Sequence, residues 1–163
     1  MNHSGSGIPA LSALLSPATI NLHLTGAGRP EVLAELVDKI AEISGQPAAR
    51  QKLLAALEER EQLHSTGIGD GVALPHARNA LVGLVEHPIL IFGRHDQGVA
   101  FGAIDGAPAH LFFLLVAPTV TQHLAMLARI SRLLRNPKLR KALLAAQQPD
   151  EVCTLIRDAE AKS

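Results

Sequence analysis

Aromatic residues are scarce in this 163-residue sequence, which has no Trp, no Tyr and only four Phe. Proteins that bind single-stranded nucleic acid stack the bases on aromatic rings, and membrane proteins anchor themselves with belts of Trp and Tyr. An excess of one charge is also missing, because 15 Lys and Arg balance 15 Asp and Glu. A protein that binds duplex nucleic acid needs a basic surface that displaces counterions. We therefore expect no nucleic-acid partner.

Cysteine and long apolar runs are equally limited. Cys153 is the only cysteine, so no intramolecular disulfide can form, and no Cys/His spacing typical of a metal site occurs. The longest apolar run, residues 111–117, is far shorter than the roughly 20 residues of a membrane-spanning helix. The first residues lack the charged and apolar regions of a signal peptide. We expect a cytoplasmic protein that is not inserted in the membrane, with residues 1–10 as a flexible leader and 11–163 as one domain.

Apolar periodicity predicts helices toward both ends of the chain and strands mainly in the middle. Helices are predicted over residues 30–45, 47–61, 121–134, 137–146 and 149–159, and strands over residues 20–24, 71–74, 87–92 and 109–116. Thr121 is the predicted cap of the third helix. The apolar runs in the later strands are continuous rather than alternating, which is typical of strands that are covered on both faces. The pattern predicts an α/β fold, a three-layer α/β/α sandwich with a central mixed β-sheet and helices on both faces.

A glycine-rich segment in the middle of the chain contains the strongest functional signal. Gly67, Gly69 and Gly71 alternate, a short apolar strand follows, and Pro75 places His76 just beyond that strand. A dinucleotide-binding glycine loop follows a strand and opens a helix. Here the glycines follow a helix and lead into a strand, which argues against nucleotide binding.

His76 fits the role of a nucleophile. Neutral imidazole has a lone pair near physiological pH and can accept a transferable group covalently. Nearby glycine amides can approach an anion closely, and Arg60 and Arg78 can neutralise phosphoryl oxygens. The spacing alone leaves a second interpretation open, in which His76 is a turn residue with a satisfied hydrogen bond.

Residues 65–78, with the sequence STGIGDGVALPHAR, closely resemble a known phosphorylation-site signature. It belongs to the enzyme IIA domains of the fructose/mannitol class of the bacterial phosphoenolpyruvate:sugar phosphotransferase system, and the nitrogen-regulatory enzyme IIA is a close relative. Arg60 lies where this family has an active-site arginine, and residues 103–108 resemble its Asp-Gly/Asn-x-Pro turn. Residues 122–127 match the helix with the family's second histidine, His123. The resemblance covers roughly residues 11 to 160.

The resemblance implies a phosphotransferase component that needs no metal or other cofactor. His76 would attack the phosphohistidine of an HPr-like phosphocarrier protein through Nε2. The implied catalytic residues are His76, His123 and Arg60, and the implied phosphoryl-site supports are Thr66, Gly67, Gly69 and Arg78.

Each supporting role has a structural alternative. His123 would otherwise be an exposed surface histidine, and Arg60 a solvated helix-end residue that pairs with Glu59 or Glu61. A structural role in the turn is equally open for Thr66, and Arg78 could steer partners instead of contacting phosphate.

Several outputs are compatible with such a phosphocarrier. We expect a chain that stands alone, without an attached enzyme IIB or IIC segment, and this favours the nitrogen-regulatory branch. The alternatives are a regulatory binding protein whose partner affinity is the output, and a sugar-specific enzyme IIA that donates to an enzyme IIB cysteine. Apolar residues on the N-terminal helices are compatible with a homo-oligomer, but nothing in the sequence requires one.

Overall fold

The computed structural model describes residues 8–77 and 83–163. Within these residues the strands are β1 (Ile20–Asn21), β2 (Gly67–Gly69), β3 (Val72–Ala73), β4 (Ile89–Val99) and β5 (Ala109–Val116). The helices are α1 (Arg29–Val37), α2 (Pro47–Leu63), α3 (Val120–Leu133), α4 (Pro137–Ala145) and α5 (Pro149–Lys162). Short 3₁₀ turns cover Leu11–Leu14, Pro17–Thr19 and Ala41–Ile43. None of the helices in this part of the chain is long and apolar enough to cross a membrane.

The strands form one mixed sheet in the order β1-β4-β5-β3-β2. The two longest strands, β4 and β5, pair antiparallel at its centre. The short strand β1 runs parallel to β4, and β3 runs parallel to β5. Strand β2 forms an antiparallel hairpin with β3 at the edge. Both pairing directions therefore occur in the sheet, as predicted.

The central strand β5 is covered on both faces. Leu111, Phe113 and Leu115 join an apolar cluster to which α3, α4 and α5 contribute. Phe112 and Leu114 point the other way, into a second cluster with α1 and α2. Alternate residues of a strand point to opposite faces, so a continuous apolar run on β5 requires a helical layer on each side. The predicted three-layer sandwich is confirmed.

The predicted helix over residues 30–45 is wrong in its second half. Helix α1 ends at Val37, and the amide of Asp38 is shared between two carbonyls in a tightened last turn. Ile40 then takes an extended backbone conformation, with φ −85° and ψ 104°, and is fully buried. The 3₁₀ turn that follows buries Ile43. The buried residues therefore keep the spacing of one longer helix although the backbone does not.

Other predicted boundaries shift for local reasons. Strand β1 ends at Asn21, whose side-chain oxygen accepts a hydrogen bond from the amide of His23 and turns the chain. Strand β4 continues beyond the predicted end at Phe92, with an irregularity in register before Val99. The cap of α3 is Thr119 rather than Thr121, because the Thr119 hydroxyl accepts from the amide of Gln122 at 3.2 Å. Strand β2 was not predicted, because its glycines have no apolar pattern.

Most of the predicted leader, residues 1–7, lies outside the described residues. Ile8 is buried and belongs to the same apolar cluster as α3. Packing therefore begins ahead of residue 11. The flexible leader and the boundary of the domain at residue 11 stay predictions.

We expect Phe113→Ala to lower the free energy of unfolding by about 3–5 kcal/mol. The Phe113 ring is fully buried and packs edge-on against Phe92, with 4.9 Å between the ring centroids. Urea denaturation would measure the loss. Leu144→Ala is the matched control, because Leu144 is 49% exposed, and its effect should stay within about 0.5 kcal/mol. Equal effects of the two substitutions would contradict this account of the core.

Candidate functional site

His76 and His123 meet because they follow neighbouring parallel strands. His76 lies three residues after β3, and His123 is the fourth residue of α3, the helix that follows β5. Since β3 and β5 run parallel, their carboxyl ends lie at the same edge of the sheet, where α/β proteins commonly place their sites. The two imidazole ring centroids are 5.5 Å apart. The structure therefore brings the two predicted histidines together.

A backbone hydrogen bond determines which nitrogen of His76 is free. Nδ1 of His76 lies 2.6 Å from the carbonyl oxygen of Leu74. A carbonyl can only accept, so Nδ1 is the donor and the neutral ring has its lone pair on Nε2. The carbonyl of Pro75 accepts from the amide of Leu115 at 3.1 Å, which ties this segment to β5. His76 thus has a satisfied hydrogen bond and a free nucleophilic nitrogen at the same time.

Burial keeps both imidazoles neutral. It lowers the pKa of His76 from 6.5 to about 4. The charge of Arg60 and the neighbouring His123 act in the same direction, while the hydrogen bond to the Leu74 carbonyl opposes them. Burial also lowers the pKa of His123. An unprotonated imidazole at physiological pH is the form that can attack an electrophile.

His123 is buried rather than exposed, with only 6% of its surface accessible. The alternative of a surface histidine is therefore wrong. Its own backbone amide donates to the carbonyl of Thr119 as part of the helix. What His123 presents to the site is its imidazole, and the amide is not free for an anion.

Arg60 lies in the last turn of α2 and contacts the chain just beyond it. One of its guanidinium nitrogens, Nη1, donates to the carbonyl of His64. The predicted alternative, an ion pair with Glu59 or Glu61, does not occur among the ion pairs of the described residues. The charge of Arg60 nevertheless contributes to the lowered pKa of His76, after the larger effect of burial.

Thr66 turns its polar groups toward Glu61, a residue whose role sequence reasoning missed. The Thr66 amide donates to Oε1 of Glu61 at 3.0 Å, and its hydroxyl donates to Oε2. Both residues are buried. These contacts agree with the structural alternative for Thr66, and direct contact of Thr66 with phosphate stays a prediction.

Gly67 and Gly69 lie against the turn at residues 103–108. A Cβ on Gly67 would come within 3.0 Å of Ala103, and a Cβ on Gly69, at φ +90°, within 3.1 Å of Asp105. The Asp105 carboxylate accepts from the amides of Asp70 and Ala107, and these bonds lower its pKa. Close packing thus explains both glycines, and their contact with phosphate stays a prediction.

Two further predictions concern Arg78 and metal binding. Arg78 lies outside the described residues. No group of His, Cys, Asp or Glu side chains that could hold a metal occurs in residues 8–77 and 83–163.

Comparison with known proteins supports one family. Residues 13–159 match the family described as "Phosphoenolpyruvate-dependent sugar phosphotransferase system, EIIA 2". The fructose-specific EIIABC component of Bacillus subtilis is 36% identical over 90% of this chain, which spans only 23% of that protein. A nitrogen regulatory protein of Bradyrhizobium diazoefficiens is 34% identical, over 90% of this chain and 94% of that protein. The crystal structure of nitrogen regulatory protein IIA-Ntr from Neisseria meningitidis superposes with a TM-score of 0.79 at 27% identity, over 90% of this chain and 98% of that one.

We expect His76 to titrate with a midpoint near pH 4, well below the ordinary value of 6.5. The ring nitrogen shifts of His76 in a ¹⁵N NMR titration would report the midpoint. Because the folded protein disfavours the protonated ring, the stability that His76 contributes is complete above pH 6.5 and is lost as the pH falls toward 4. A midpoint at or above 6.5 would contradict the buried, neutral site.

Proposed function

This chain belongs to the EIIA 2 family of the phosphoenolpyruvate-dependent sugar phosphotransferase system, and we propose that His76 is the residue on which it carries phosphate. The observation that carries this proposal is the pairing of Nδ1 with the Leu74 carbonyl, which leaves Nε2 as a neutral nucleophile. Proteins of this family act as phosphocarriers.

The donor is an HPr-like phosphocarrier protein that presents a phosphohistidine. The lone pair of His76 Nε2 attacks phosphorus in line, a new N–P bond forms, and the N–P bond of the donor breaks with its electron pair returning to the donor imidazole. The His76 ring then has substituents on both nitrogens and a positive charge, because Nδ1 keeps its proton. The Leu74 carbonyl at 2.6 Å stabilises that charge. The donor ring carries a proton on its other nitrogen and therefore leaves as a neutral imidazole, so the exchange balances without an added proton, a metal or another cofactor.

Arg60 and His123 would stabilise the phosphoryl group during transfer. Phosphoryl transfer relies on positioning and on neutralising charge at the phosphoryl oxygens. Arg60 supplies positive charge, and a neutral His123, 5.5 Å from His76 between ring centroids, can donate one hydrogen bond. Further support would come from the amides of Gly67 and Gly69, from Thr66 and from Arg78, a set that the resemblance alone implies.

The favoured output is that of the nitrogen-regulatory branch, in which phosphate on His76 changes the affinity for protein targets. The similarity to a nitrogen regulatory protein over 94% of that protein's length supports this choice. A phosphoryl group adds a charge of about −1.5 to −2, which is a large change for a chain with no net charge. The fructose-specific relative supports the alternative, transfer to an enzyme IIB cysteine. Partners of this kind make the cytoplasm the expected compartment.

We expect the chain to gain one phosphoryl group when it is incubated with phosphoenolpyruvate, enzyme I and an HPr-like protein. Intact-mass spectrometry would detect the gain, and His76→Ala should abolish it because the attacking nitrogen is lost. His64→Ala is the matched control and should retain phosphorylation, because His64 is an exposed histidine in the same segment. A phosphorylated His76→Ala variant, or an unmodified wild type, would refute the proposal.

The two outputs predict different fates of the phosphorylated chain. If the output is nitrogen-regulatory, the phosphorylated chain should not transfer its phosphoryl group to a purified fructose-type enzyme IIB. Pull-downs with the phosphorylated and the unphosphorylated chain should then recover different target proteins. Rapid transfer of the phosphoryl group to the cysteine of enzyme IIB, together with the same targets in both pull-downs, would instead establish the sugar-specific alternative. His76→Ala, which cannot be labelled, controls for phosphate that reaches enzyme IIB by another route.

A further inference from the structure

Glu61 is the one acidic side chain among the buried polar groups of residues 8–77 and 83–163, with 4% of its surface accessible. Burial of a carboxyl group is costly unless hydrogen bonds compensate. Burial raises the pKa of Glu61, and hydrogen bonds from Thr66 and the charges of Arg29 and Arg60 oppose that rise. The cost of burying this carboxyl group suggests that Glu61 has a specific structural or functional role.

The carboxyl group of Glu61 holds Thr66 at two points. Oε1 accepts from the Thr66 amide at 3.0 Å, and Oε2 accepts from the Thr66 hydroxyl. Thr66 directly precedes β2, so the last turn of α2 is joined to the start of the glycine hairpin. This pair of bonds resists both sliding and rotation of Thr66.

Two more hydrogen bonds continue from Thr66 to the nucleophile. The Thr66 carbonyl accepts from the amide of Leu74 at 3.0 Å, which extends the pairing of β2 with β3 by one step. The Leu74 carbonyl then accepts from Nδ1 of His76 at 2.6 Å. Hydrogen bonds, linked through the backbones of Thr66 and Leu74, therefore connect the carboxyl group of Glu61 to the imidazole of His76.

The same side chain also places the cation of the site. Arg60 precedes Glu61 in the last turn of α2, and its guanidinium bonds to the carbonyl of His64. Glu61 fastens this turn to Thr66, so the turn that contains Arg60 is tied to the start of β2. The segments of the nucleophile and of the cation are thus both connected to one buried carboxyl group.

We propose that Glu61 is a positioning residue for phosphoryl transfer, which holds the hairpin so that Leu74 fixes the Nδ1–H form of His76 and Arg60 stays within reach. This inference rests on the proposed function of His76. A second anchor exists in the bond between the Pro75 carbonyl and the Leu115 amide. Loss of Glu61 should therefore loosen the site without unfolding the sheet.

The test compares two substitutions of Glu61. Glu61→Ala removes both bonds to Thr66. Glu61→Gln can keep both, because the amide oxygen accepts from the Thr66 N–H and the amide NH₂ donates to the hydroxyl oxygen. Glu59→Ala is the matched control, since Glu59 is an exposed glutamate on the same helix. Thr66→Val and Thr66→Ser form a second pair, which removes or keeps the hydroxyl.

Two measurements are made on the Glu61 and Glu59 variants, and the Thr66 variants are compared by the second alone. The first is the rate of phosphorylation by the HPr-like donor. The second is the tautomer of His76, read from ¹⁵N NMR of the full chain without any donor. We expect Glu61→Ala to slow phosphorylation by about 10- to 100-fold, the effect of a small displacement at a reacting group, and to reduce the Nδ1–H form. Glu61→Gln and Glu59→Ala should remain close to wild type in both measurements. Thr66→Val should reduce the Nδ1–H form of His76 more than Thr66→Ser does, but less than Glu61→Ala.

Two results would overturn the positioning role. One is Glu61→Ala with the wild-type rate and tautomer, even if its thermal stability falls. The other is an equal loss in Glu61→Ala and Glu61→Gln, which would assign the effect to the charge of Glu61. If Glu61→Ala does not fold, the Thr66 pair decides, and equal tautomers of His76 in Thr66→Val and Thr66→Ser overturn the proposal. Because the tautomer is read without a donor, failure of wild-type phosphorylation is distinguishable as failure of the proposed function.

Discussion

The burial of β5 on both faces is the constraint on which the rest of the structure depends. Its side chains alternate between two apolar clusters, one shared with α1 and α2 and the other with α3, α4 and α5. A strand of this kind must be central and must have helices on both sides. The site follows from the same strand, because β3 pairs in parallel with β5 and ends beside it. The segment after β3 contains His76, and the helix after β5 contains His123.

Desolvation gives that site its chemical character. Two imidazoles with ring centroids 5.5 Å apart, near an arginine, would be unfavourable if both were protonated, and burial lowers the pKa of each. The neutral pair can accept a dianionic group without first losing protons. The Leu74 carbonyl assigns the remaining proton of His76 to Nδ1, so the site prepares one nucleophilic nitrogen before any donor arrives.

Much of the fold could be predicted from apolar periodicity, and the errors have local causes. The continuous run in β5 predicted a sheet covered on both faces, and the structure confirms it. The predicted helix 30–45 failed because Ile40 keeps its apolar spacing while its backbone is extended. Strand β2 was missed because an alternation of glycines carries no signal of burial. Strand β2 is defined by its antiparallel pairing with β3, and the residues of β2 alone do not indicate that pairing.

The sequence by itself determined the class of the fold, the family, and His76 and His123 as the residues to examine, because apolar spacing and the segment 65–78 are local patterns. Only the tertiary structure decided that His123 is buried, that Arg60 bonds to the His64 carbonyl, and that Nδ1 of His76 pairs with the Leu74 carbonyl. It also showed that Glu61, considered from the sequence only as a possible ion-pair partner of Arg60, is a buried partner of Thr66. Burial and hydrogen-bond partnership depend on where the helices and strands pack against one another, and spacing along the chain does not contain that information.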